Sequence, residues 1–265
     1  MTTSAKGEQT GKHTNAQTDA GWIKGTVVNT RHWTDNLFSL QIAADITPGR
    51  AGQYTLLGVD LDGERVSQPY SLLSAPGEQP LEFFFYTQEE GDLSRALSRS
   101  QPDDTLWVQQ QPEGTLTLNH VPDTDLLCLM ATGTGVAPFI AMLKTDEPWQ
   151  RFKHVALIYA VREAADLCYR DLFNGLRRRY PGRFTLVPFV SREQTEGAIH
   201  GRIPAALLNG KLEAALGQTL SAERSHVMLC GNPGMVQDAS QILSQRGFQT
   251  HSASQPGQLS YESYW

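Results

Sequence analysis

A chain of 265 residues exceeds a typical single domain, and its 40% hydrophobic and 19% charged content suits buried cores, so two globular domains are expected. The formal net charge of -6 excludes wholesale nucleic-acid binding, which needs a basic face, and "RRRY" at Arg177 to Tyr180 reads as a solvated helix end. Cys128, Cys168 and Cys230 stand far apart with no C-x-x-C pair, which excludes a cysteine-built zinc or iron–sulfur site and suits a reducing compartment.

Residues 1–20 are polar and carry no apolar core of a signal peptide, so a loose tail is expected. No apolar run approaches the ~20 residues that span a bilayer, and a cytoplasmic location is expected. From Gly21 to Asn119 the chain reads as short β-rich runs: "IKGTVVNTRHW", "LFSLQIA", "QYTLLGV", "PYSLLS", "LEFFFYTQ", "TLWVQQ" and "TLTL". Turn chemistry at Pro48-Gly49, Asp62-Gly63, Pro76-Gly77 and Glu113-Gly114 separates them, and one helix is expected at "DLSRALSRS". This spacing predicts an antiparallel β-barrel over residues 21–119.

After His120 continuous apolar strands alternate with helical patterns: "DLLCLMAT", "VAPFIAMLK", "HVALIYAV", "AADLCYRDLFNGLRRRY", "FTLVPFVS", "IPAALLNGKL", "HVMLCGN" and "GMVQDASQILSQR". That rhythm predicts an α/β doubly wound parallel sheet over residues 120–265.

Candidate site residues fall at the ends of these runs. In "VSQPYSLLSAP", Tyr70, Ser71 and Ser74 sit among Pro69 and Pro76, which reads as a strand edge bounded by residues without a ladder donor. "ATGTGVAPF" joins a buried strand to a helix through Thr132, Gly133, Thr134 and Gly135, where free helix amides suit an anion. The next strands end in Arg162 and in Ser191-Arg192, with Arg202 following in "HGRIP". Several arginines at the carboxyl ends of adjacent parallel strands point to a phosphate, and so to NADP over NAD. The last apolar strand delivers Cys230, Gly231 and Asn232 to the same edge, a position for a nicotinamide contact.

Taken together, "PYSLLSAP", "ATGTGVAPF", "FVSRE" with "GRIP", "VMLCGNPGMV" and the terminal "YESYW" resemble the ferredoxin–NADP reductase family, specifically its bacterial flavodoxin/ferredoxin–NADP reductases. The resemblance runs from about Gly21 to Trp265. It implies FAD stacked on Tyr70, with Pro69 beside it and Ser71 near the hydride-accepting atom. Further FAD contacts are implied at Tyr86, Thr87, the backbone of Asp92, Leu93 and Ser94, at Thr132, and at Tyr264 and Trp265 against the adenine. NADP(H) is implied at Gly133, Thr134, Gly135, Arg162, Ser191, Arg192, Arg202, Cys230, Gly231, Asn232 and Asp238. Where the family carries an arginine two residues before the tyrosine, this chain has Gln68, and nearby Arg65 is a replacement charge.

The implied reaction carries hydride from NADPH to FAD and single electrons on to ferredoxin or flavodoxin, with Ser71 and Cys230 flanking the rings and Glu262 a source of protons. A monomer is expected. A reductase component of an oxygenase, a free-flavin reductase and, because of Gln68, a flavin-free binding module stand as alternatives.

Overall fold

The computed structural model describes residues 20–87, 91–252 and 254–263. Its first half holds β1 (Trp22–His32), β2 (Leu37–Ala43), β3 (Tyr54–Leu61), β4 (Glu64–Ser71), β5 (Leu81–Tyr86), α1 (Asp92–Arg99) and β6 (Thr105–Gln109). The strands form one antiparallel sheet in the order β4-β3-β6-β1-β2-β5. Asp62 and Gly63 both take positive φ, 52° and 85°, which gives the β3–β4 hairpin a turn whose twist matches its strands. A bulge between Val27 and Asn29 bends β1, and an isolated bridge from Leu72 to Phe83 draws the two sheet ends together into a half-barrel. Val27, Leu40, Ile42, Leu57, Phe83 and Phe85 fill it, and α1 closes its mouth with Leu93 and Leu97.

The stretch "FFFY" at the end of β5 is apolar without alternation because both of its faces are covered. Leu81, Phe83 and Phe85 point into the half-barrel, whereas Phe84 leaves by the opposite face and joins a second cluster. That cluster contains Leu127, Leu129, Ala131 and Phe139 of the other half. One apolar core therefore crosses the boundary between the two sheets, and Lys144 pairs with Glu78 across the same boundary at 3.0 Å.

The second half runs β7 (Leu126–Thr132), α2 (Ala137–Lys144), α3 (Glu147–Arg151), β8 (His154–Val161), α4 (Arg170–Arg179), β9 (Phe184–Val190), β10 (Ile199–His200), α5 (Ile203–Leu208), α6 (Lys211–Leu216), β11 (Ser225–Gly231), α7 (Pro233–Gln245) and β12 (Leu259–Ser263). Its strands are parallel in the order β10-β9-β8-β7-β11-β12. Phe139 and Ile140 of α2 and Phe173 of α4 cover one face; Ala206 of α5, Leu212 of α6 and Val236 of α7 cover the other. The chain builds outward from β7 through β10 and then returns to β7's other side with β11. That reversal opens a crevice at the carboxyl ends of β7 and β11, the place where open α/β sheets hold ligands.

Three local expectations change. "TLTL" forms no strand: the chain leaves the sheet after a bridge from Tyr54 to Glu113 and buries Leu116 and Leu118 in the shared cluster instead. The helical pattern beginning at Ala164 breaks into a single 3-10 turn at Ala164–Asp166 and a helix that starts at Arg170, because Tyr169 is left-handed at φ 59°. "IPAALLNGKL" becomes α5 and α6, divided at Gly210 with φ 76°. Among the described residues, no helix is long and apolar enough to cross a membrane.

His226 in β11 is fully buried, 3.0 Å from Ser260 Oγ through Nε2, with His251 and Arg151 as its charged or titratable neighbours. Burial first, and then those neighbours, push its pKa down to about 4. Between the ordinary value near ~6.5 and that value, the unfolded chain binds a proton that the folded chain rejects, so stability falls as pH drops through this window by up to about 3 kcal/mol. Denaturant unfolding at pH 7 and 4.5 should show the His226→Gln variant losing less stability on acidification than the parent.

Candidate active site

The crevice is closed to side chains from both of its walls. Gly231 ends β11 at φ 127°, and a Cβ there would overlap the Thr132 hydroxyl; a Cβ on Gly135 would lie 2.6 Å from the Cys230 carbonyl oxygen. Thr132 Oγ1 accepts the Asn232 amide at 2.7 Å, tying the end of β7 to the end of β11. Asn232 in turn accepts the Met235 amide at 3.2 Å and caps α7, whose first position is Pro233. Thr132, Gly133, Thr134, Gly135, Cys230, Gly231 and Asn232 are thus brought together, leaving bare backbone and a helix start facing the crevice. Asp238 is exposed on α7, five residues beyond Pro233 and away from this junction.

The barrel supplies the facing wall. Ser71 is buried at the end of β4 and pairs in register with Tyr54. Glu262 on β12 pairs in register with Cys230, and its charge acts on the Tyr54 phenol. Burial pushes Glu262 up to about 7. Tyr54, Ser71's register partner in one sheet, is therefore within electrostatic reach of Glu262, Cys230's register partner in the other. Tyr54 had no signature in the sequence beyond opening a strand; the hairpin register makes it Ser71's neighbour. Tyr70 is half-buried on the opposite face of β4 and leans edge-on against Phe85 at 5.7 Å, and its phenol is pushed up to about 12 by burial. Gln68 and Pro69 are exposed beside it.

Arg65, the charge nearest Gln68 in the chain, is engaged on the other side of the strand. Three residues apart on a strand, the two lie on opposite faces. Arg65 pairs with Asp60 at 3.5 Å, and its guanidinium covers the Trp107 ring at 3.7 Å after crossing Gly58. Tyr86 reaches the other half: its phenol bonds the Asp166 carboxylate, and its ring would sit 3.3 Å from a Cβ on Gly133. Thr87 extends the β2–β5 ladder by donating its amide to Asn36 at 2.9 Å. Asp92, Leu93 and Ser94 form the first turn of α1, whose cap residue Gly91 offers no side-chain acceptor to their amides. Tyr264 and Trp265 lie outside the described residues.

At the sheet's far side, backbone bonds from Ser191 to Val161 and from Arg192 to Arg162 place Arg162, Ser191 and Arg192 on neighbouring strand ends. The Gly201 amide bonds Val190, which sets Arg202 beside them as the cap of α5. All three arginines are exposed. Sequence reasoning missed Glu163, whose carboxylate lies 3.5 Å from Arg192 inside this group. Among these features the Gly231 junction is the most exacting: Gly231→Ala combines a left-handed backbone with an overlap and should lower unfolding free energy by at least about 2 kcal/mol in denaturant titration.

Comparison with known proteins gives this geometry its relatives. Residues 129–241 match the oxidoreductase NAD-binding domain model. The chain is 42% identical over 247 residues to the flavodoxin/ferredoxin–NADP reductase of Shigella flexneri and 41% identical to that of Escherichia coli, spanning 93% of this chain and 100% of each relative. A Neisseria gonorrhoeae ferredoxin NADP+ reductase structure with bound FAD and NADP superposes with a TM-score of 0.88 at 31% identity, covering 92% of this chain and 99% of that one. With full-length identity at this level and both sheets matched, the chain belongs to the flavodoxin/ferredoxin–NADP reductase family.

Proposed function

We propose that FAD lies against Tyr70 and Ser71 with its phosphates on the amides of Asp92, Leu93 and Ser94, and that NADP(H) lies across the carboxyl ends of β7, β8, β9 and β11. The barrel of residues 21–119 would thus hold the flavin and residues 120–265 the nucleotide. The chain is an NADPH-dependent flavin oxidoreductase. The observation that carries this reading is the pair of glycine closures at a strand-order reversal, with Glu262 beside Cys230 on the neighbouring strand.

The residues present fit both groups. A glycine-capped helix start leaves amides for a diphosphate, and Gly135 and Gly231, where a Cβ would strike Cys230 and Thr132, let the ends of β7 and β11 close up around the glycine turn. Three exposed arginines suit a 2′-phosphate. When bound, the flavin supplies the exchange between two-electron and one-electron chemistry.

The protein's own residues place and protonate. Ser71 presents a hydroxyl donor from the barrel wall, and Cys230, fully buried, fills the opposite wall without a nucleophile's exposure. Glu262, titrating near neutrality, holds or releases a proton at the same wall. We assign the electron acceptor to ferredoxin or flavodoxin, and the working form to a monomer in the cytoplasm that needs neither membrane nor nucleic acid. The names of the relatives support this acceptor over an oxygenase component or a flavin-free module.

Steady-state reduction of a ferredoxin or flavodoxin with NADPH and NADH tests the reading, and NADPH should be strongly preferred. Arg192→Ala should raise the KM for NADPH about tenfold, as loss of a charge-assisted bond does. Glu163→Gln should lower that KM, since its charge competes for Arg192. Glu262→Gln should flatten the pH dependence of turnover near 7. Equal efficiency with both nucleotides in the parent would contradict the phosphate pocket.

A further inference from the structure

We propose that Tyr169 is a positioning residue for hydride transfer: a latch from the nucleotide-binding half into the barrel wall that sets the approach of nicotinamide to flavin. The inference deepens the reading above and rests on it.

Tyr169 stands at φ 59°, ψ 25°. Among the described residues the other non-glycine residues with positive φ are Asp62 and Asp103, which tolerate that region; a tyrosine does so at a cost of roughly 1–3 kcal/mol. Something must hold it there, and its contacts name the holder. The phenol donates to Glu82 Oε1 at 2.8 Å, and the ring packs on Trp33 and Phe84 with centroids 4.8 and 5.1 Å away. Glu82, Trp33 and Phe84 all belong to the barrel half, on the outward face of β5 and the end of β1. The ring it packs on is fixed as well: Trp33 Nε1 donates to Ser39 at 3.1 Å, and the Arg31 guanidinium lies 3.4 Å above the Trp33 ring.

Position in the chain makes this more than packing. Tyr169 ends the segment that begins at Arg162 and Glu163 in the arginine group. Halfway along it, Asp166 caps back to the Glu163 amide and bonds the Tyr86 phenol, which abuts Gly133 in the glycine turn. One eight-residue segment thus joins the proposed phosphate pocket to two phenol–carboxylate bonds across the crevice. Such a segment fixes the distance between two bound rings, and hydride transfer is steep in that distance: a misplacement of about 1 Å costs on the order of a hundredfold.

Two variants separate placement from folding. Tyr169→Asn accepts the left-handed backbone and removes ring and phenol; Tyr169→Phe keeps the ring and removes the bond to Glu82. In FAD-loaded protein, four readouts apply: flavin content, NADP affinity by titration, amide hydrogen exchange of residues 162–169 and 81–87, and single-turnover flavin reduction by NADPH and 4-deuterated NADPH. The expected Asn variant keeps its flavin and its NADP affinity, exchanges faster in both segments, and reduces its flavin about ten- to a hundredfold more slowly with a larger isotope effect, Phe falling between. An unchanged reduction rate, or a rate that falls only in step with flavin content, overturns the latch. A parent that NADPH does not reduce removes the site reading and the latch with it; a competent parent beside an unaffected Asn variant removes the latch alone.

Discussion

Phe84, Leu37 and Leu73 turn away from the half-barrel's own core and are buried with Ala131, Val136 and Phe139 of the parallel sheet. That single apolar cluster is what the active site depends on. Two sheets that merely touched through polar side chains would be free to rock, as interfaces between domains commonly are. Burying several large side chains from both, each worth about 1.5–3 kcal/mol when removed from water, ties the relative position of the sheets to the folding of either one. At the rim of that cluster the Tyr54 phenol of the barrel lies within electrostatic reach of Glu262 of the parallel sheet.

The rim explains the electrostatics. Glu262 stands where apolar burial meets the crevice, so its carboxyl is pushed into the neutral range without an opposite charge to hold it down. Tyr86 and Tyr169 cross the same rim with phenols pushed well above their ordinary range, mainly by burial and then by the carboxylates they bond. The surface arginines differ in setting: all three are exposed, and Arg192 lies 3.5 Å from the Glu163 carboxylate.

Much of this was legible in the residues. Alternating and continuous apolar runs separated the antiparallel sheet from the parallel one, because side-chain burial on one face or two imposes those patterns directly. The glycine turn and the arginines at strand ends were legible for the same reason, since backbone approach and phosphate charge leave few residue choices. What stayed hidden depended on register and on contacts between halves. Nothing local in "QYTLLGV" says that Tyr54 will stand opposite Ser71, and nothing in "DLCYRD" says that Tyr169 will interrupt a helix to reach Glu82. Which face Arg65 takes was hidden too, because proximity in sequence ignores the strand's alternation: the residue near Gln68 in the chain is on the other face of the sheet. The unbroken "FFFY" was a clue to two-sided burial, written in a strand that a one-faced barrel would have alternated.

On the proposed arrangement, one crevice between the sheets holds both nucleotide and flavin in position to react. Anaerobic titration of the purified, FAD-loaded protein with NADPH, followed in the visible flavin band, tests it most directly. Bleaching should be complete near one equivalent of NADPH and much slower with NADH. A protein that takes up no FAD, or whose FAD band survives excess NADPH, would contradict it.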